Sequence, residues 1–113
     1  MKVPRRVEDP NWTDPGLLVM ASLAEGSKHG YAIIGDVEAT TGVRLGPGTL
    51  YGALSRLEQR GLIEQLDSDD PRRRPYRLTS HGSAVLAERL EHMRRFAALG
   101  RKRLAASPTL GLA

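Results

Sequence analysis

Residues 46–79 read GPGTLYGALSRLEQRGLIEQLDSDDPRRRPYRLT, and this stretch decides the fold. Its first part places Leu50, Ala53, Leu54 and Leu57 at i, i+3, i+4 and i+7, which is one apolar helix face, and Gly61 punctuates the end. At about 100° per residue, Gly48, Gly52, Ser55 and Gln59 project away from that stripe, with Tyr51 and Arg56 on its flanks. The outward face is therefore small and polar. Two short runs of β-compatible residues follow, Leu62 to Leu66 and Tyr76 to Thr79. Between them, Asp67 to Pro75 holds two prolines, three acids and three arginines, the composition of an exposed hairpin tip.

Upstream, Thr13-Asp14-Pro15 signals a helix start, because a Thr or Asp side chain caps free N–H groups and Pro presets the first helical φ. Leu17, Leu18, Ala21 and Ala24 recur at helical spacing until Gly26. A second helix is expected with Tyr31, Ile34, Val37 and Thr41 on one face, ended by Gly42. Three helices and then a two-stranded hairpin is the winged helix-turn-helix order, in which the third helix enters the DNA major groove.

Downstream, Ser80 is placed to cap a last helix running to about Leu104. Leu86, Leu90, Met93, Ala97, Gly100 and Leu104 are spaced 4, 3, 4, 3, 4, an a/d seam that Val85, Phe96 and Leu99 widen. Such a seam calls for a partner helix, so Leu86, Leu90, Met93, Phe96, Ala97, Gly100 and Leu104 are the expected homodimer contacts. The expected fold class is mainly α with a small β-hairpin. Its organisation is a basic N-terminal arm (1–12), a winged domain (13–79), a dimerisation helix (80–104) and a frayed tail (105–113).

Composition narrows the function. Seventeen Lys plus Arg against thirteen Asp plus Glu give a net +4, which favours a polyanionic partner. The absence of cysteine removes disulfides and thiolate chemistry and suits a reducing cytoplasm. No apolar run approaches the roughly 20 residues of a membrane span. His29, His81 and His92 lack the spacing of metal ligands, and no nucleophile, phosphate loop or carboxylate pair appears, so neither a metal nor a cofactor nor catalysis is expected.

The DNA-facing candidates are Gly48, Gly52 and Ser55, which let the backbone approach base edges, and Thr49, Tyr51, Arg56 and Gln59, which can hydrogen-bond phosphates or bases. Arg72, Arg73 and Arg74 on the hairpin tip repel one another unless screened, either by DNA phosphates or by Asp67, Asp69 and Asp70 around them.

The wording of the sequence adds to its period. His29-Gly30-Tyr31, Gly48-Thr49-Leu50-Tyr51, Leu54, Leu57-Glu58, Gly61-Leu62-Ile63, Arg73, Tyr76, Leu78-Thr79 and Gly82 resemble the PadR family of transcriptional regulators. The resemblance implies a homodimer held by the C-terminal helix, in the short form with one such helix, binding an inverted-repeat operator and usually repressing nearby genes. It places Thr49 and Tyr51 in the DNA-contacting motif and Arg72 to Arg74 in the wing. Some relatives sense phenolic acids or flat hydrophobic drugs near the dimer interface, with a Trp where this chain has Met93. The one Trp here is Trp12, ahead of the first helix, so Met93 and Phe96 line either an apolar effector pocket or simply the core and the dimer seam. A winged module that binds a protein instead of DNA is the rival reading.

Overall fold

The computed structural model describes residues 13–107, so the expectations for the basic arm and for the end of the tail lie outside the described residues. The element order is α1 (Pro15–Ala24), α2 (Gly30–Thr41), α3 (Pro47–Gln59), β1 (Ile63–Gln65), a 3₁₀ turn (Pro71–Arg73), β2 (Tyr76–Leu78) and α4 (Ser80–Ala106). This is the winged helix-turn-helix order with a long helix appended.

Helix α1 starts where Asp14 accepts the Leu17 N–H at 3.0 Å, with Pro15 at the first helical position. Its burial differs from the periodicity reading. Leu17, Leu18, Val19, Met20, Ser22 and Leu23 are all buried, whereas Ala21 and Ala24 are exposed. The cause is position, since α1 packs against α2, α3, α4 and β2, and a helix enclosed on several sides loses a single apolar stripe. In α2 the buried positions are Gly30, Ile33 and Val37, while Tyr31 stands 76% exposed, so the inward face is rotated from the one expected. Gly42, at φ 78°, closes α2 with its N–H on the Glu38 carbonyl at 2.9 Å.

Helix α3 keeps its expected stripe, with Leu50, Ala53, Leu54 and Leu57 all buried. Gly61 at φ 72° turns the chain, and the Leu62 N–H returns to the Leu57 carbonyl at 2.9 Å. The hairpin then pairs Ile63 with Leu78, Glu64 with Arg77 and Gln65 with Tyr76 in antiparallel register. A third backbone segment joins it. Lys28, between α1 and α2, exchanges both backbone hydrogen bonds with Tyr76, at 3.1 and 2.9 Å.

The cap of α4 is Thr79 rather than Ser80, and this one-residue shift ties three elements together. The Thr79 hydroxyl accepts the Gly82 N–H at 2.9 Å and donates to the Gly61 carbonyl at 2.7 Å, and the Thr79 N–H donates to the Leu62 carbonyl at 3.1 Å. Gly82 lies so close beneath that a Cβ there would overlap the Leu62 carbonyl. The helix then continues for 27 residues, through Ala105 and Ala106, which had been assigned to a frayed tail. At about 1.5 Å per residue it is roughly 40 Å long, and its two buried residues, Gly82 and Leu86, lie in its first two turns. None of the helices among the described residues is long and apolar enough to cross a membrane.

Candidate nucleic-acid interface

Helix α3 presents three different sides. Its outer side carries Gly48, Thr49, Ser55 and Gln59, all exposed, with Gly52 half-buried and Gln59 donating to the Ser55 hydroxyl at 3.5 Å. Gly46 is the N-cap and, among the described residues, no side chain caps the first turn. A groove has room for such a helix only if nothing bulky stands between backbone and base edges.

One flank of α3 turns toward α2 and the wing. Tyr51 is 47% exposed, and its hydroxyl lies against Gly30, at the start of α2. Buried Tyr76 comes close to the same region from β2, where burial, then the Glu58 charge and then Tyr51 push its phenol above the ordinary value, opposed by a hydrogen bond with Gln65. Among the described residues Glu58 forms no ion pair within 4.0 Å, although Arg56 and Arg60 are its neighbours in sequence.

The other flank faces α1 and α4 across a groove of about 400 Å³. Arg56 and Arg60 from α3 and Arg89 from α4 line it over a floor that includes Met20, Leu57 and Val85. The Arg56 guanidinium folds back toward Gly52, since a Cβ on that glycine would lie 3.4 Å from it. Arg60 and Arg89 escaped the sequence reading because a groove between three helices has no signature in the period of any one of them.

The wing carries Arg72, Arg73 and Arg74, all exposed, on and just after a 3₁₀ turn. Asp70 is committed to that turn, accepting the Arg72 backbone N–H at 3.0 Å. Among the described residues no ion pair joins Asp67, Asp69 or Asp70 to the three guanidinium groups. The acids of the tip therefore make no contact ion pair with its arginines. The paired charge of the hairpin is elsewhere, where Arg77 meets Glu64 across the strands at 2.9 Å.

The seam on α4 divides. Leu86 is buried in its own core and Met93 packs against that core, so Leu86 is corrected from a dimer contact to a residue that holds α4 to the domain. Beyond it Leu90, Phe96, Leu99 and Leu104 are 48%, 75%, 43% and 56% exposed, with Ala97 exposed and Gly100 half-buried beside them. Neither Met93 nor Phe96 lines the groove next to α3. His29 has a local role, its Nδ1 accepting the Ala32 N–H at 3.4 Å at the head of α2.

The model of the transcriptional regulator PadR-like family matches residues 19–88, from within α1 to the early turns of α4. The chain belongs to the PadR-like family. A PadR family transcription regulator from Clostridium difficile has the same fold, with a TM-score of 0.72 at 28% identity, covering 80% of this chain and 97% of that one. The transcriptional regulator Rv3488 of Mycobacterium tuberculosis is 39% identical over 74 residues, which are 64% of this chain and 68% of the relative. An uncharacterized 37.1 kDa protein in transposon Tn4556 of Streptomyces fradiae is 45% identical over 82 residues, 73% of this chain. The match spans only 24% of that larger relative's length. As a PadR-like chain this is a DNA-binding transcriptional regulator and not an enzyme.

Proposed function

We propose that this PadR-like chain is a repressor that binds an inverted-repeat operator as a homodimer. The observation that carries the reading is the pairing of a small-faced α3, whose first turn no side chain of the described residues caps, with three exposed wing arginines that form no ion pair among the described residues. In it Gly48, Gly52 and Ser55 admit the backbone to the major groove, and Thr49, Tyr51, Arg56 and Gln59 contact bases and phosphates. Arg72 to Arg74 hold the flanking phosphates or the adjacent minor groove.

The homodimer reading is supported by the apolar side of α4, whose exposed Leu90, Phe96, Leu99 and Leu104 are what a second copy of the same helix would cover. Two α3 helices then lie about one duplex turn apart, roughly 34 Å. An apolar effector lodged beside Met93 and Phe96 would act on the angle between the copies.

Selection of duplexes from a random pool by the purified protein, followed by affinity measurements at two salt concentrations, tests the reading. The expected result is an enriched inverted repeat, bound far more tightly than random duplex and losing affinity steeply with salt. No enrichment and no salt dependence would point to a module that binds protein.

A further inference from the structure

Gly30 occupies the first position of α2 and is buried, yet its φ lies outside the left-handed region. Backbone conformation therefore gives no reason for a glycine. Its neighbours do. A Cβ at this position would sit 2.5 Å from the Tyr51 hydroxyl, 3.1 Å from the adjoining ring carbon and 3.3 Å from Leu50 Cδ2. The slot left by the missing side chain is filled by the end of the Tyr51 ring.

Tyr51 comes from α3 and is half exposed, and the end of its ring, hydroxyl included, sits against the first residue of α2. In a helix-turn-helix the helix before the recognition helix crosses the DNA backbone. A hydroxyl held against the start of α2 is thus placed at a phosphate and not at a base edge.

We propose that Gly30 is a positioning residue, whose absent side chain fixes the Tyr51 hydroxyl between α2 and α3 in the place where it donates to a DNA phosphate. The inference rests on the DNA-binding reading above and adds a residue that touches no DNA itself. Twenty-one positions separate the two in the sequence, and the fold closes that gap.

A double-mutant cycle on the duplex enriched by the wild-type protein tests it, with Gly30→Ala, Tyr51→Phe and the pair, each first checked for an unchanged thermal transition. Loss of a hydrogen bond to a charged phosphate is expected to weaken binding about tenfold in Tyr51→Phe. Gly30→Ala should lose a similar factor because the added methyl pushes the hydroxyl away, and the double variant should bind no worse than Tyr51→Phe alone. The losses should be equal on enriched and random duplex, and the salt slope should not change, since a neutral tyrosine displaces no counterion.

Wild-type affinity in Gly30→Ala, or losses that simply add in the double variant, would overturn the proposal. So would an unchanged affinity in Tyr51→Phe, which decides the matter even if Gly30→Ala does not fold. If the wild-type protein enriches no duplex, the DNA-binding reading itself has failed and this inference with it.

Discussion

Helices α3 and α4 carry the same kind of apolar pattern and use it in opposite ways. In α3 the stripe of Leu50, Ala53, Leu54 and Leu57 is wholly consumed by the chain's own core, leaving the polar side to face outward. In α4 only Gly82 and Leu86 are buried, with Met93 packed against the same core, and Leu90, Phe96, Leu99 and Leu104 on the apolar side are open to solvent. Periodicity reports that a helix has an apolar face. It does not report whether the covering surface belongs to the same chain.

The largest expected effect comes from erasing the part of α4 that resembles α3. Gly82→Val puts branched carbon into the space of the Leu62 carbonyl, where the backbone of the α3–β1 junction cannot yield cheaply. Loss of the cooperative thermal transition is the expected outcome, and a transition close to wild type would show that the clamp at Thr79 is dispensable.

Next comes Leu54→Ala, which empties a site that is 1% exposed. Denaturant unfolding should show about 2–5 kcal/mol less stability. A loss below 1 kcal/mol would mean that the site collapses around the smaller side chain.

Leu90→Glu addresses the other kind of face. At a position 48% exposed, it should leave the fold of the protomer nearly untouched while splitting the proposed dimer. Light scattering that still reports a dimer would move the interface off this stripe. Far-UV circular dichroism lower than wild type would show α4 losing helix once it is alone.

The smallest effect concerns the solvent side of α4. Glu91 receives Arg94 and Arg95 from the following turn, and their hydrogen bonds hold its carboxyl at about 2, below the ordinary 4.5. A lowered carboxyl value stabilises the folded state above the ordinary value, and this contribution is lost as pH falls toward about 2. The group is exposed, so the effect on global stability is slight. An NMR titration of the Glu91 carboxyl reads it directly, and a midpoint near 4.5 would mean that the two arginines are not held there in solution.

The α3 stripe, the hairpin and the existence of α4 were legible because each rests on a local rule: a 3.6-residue period, a turn-forming tip, a capping hydroxyl. The inward sides of α1 and α2 were not. Helix α1 is buried on most of its circumference, which erases its stripe, and α2 buries the face of Gly30, Ile33 and Val37, which leaves Tyr31 outward. At the interface, the outward residues of α3 and the wing arginines were visible in sequence, whereas the Arg60 and Arg89 side of the groove exists only once α1, α3 and α4 meet.

The backbone bridge between Lys28 and Tyr76 has a mechanical consequence. It fastens the start of α2 to the wing, while Thr79 fastens the wing to the end of α3, so the winged domain is braced at both ends. In the proposed dimer, two such domains are the jaws of a caliper with α4 as the pivot. A signal that releases DNA then has one adjustable quantity to act on, the gap between the jaws.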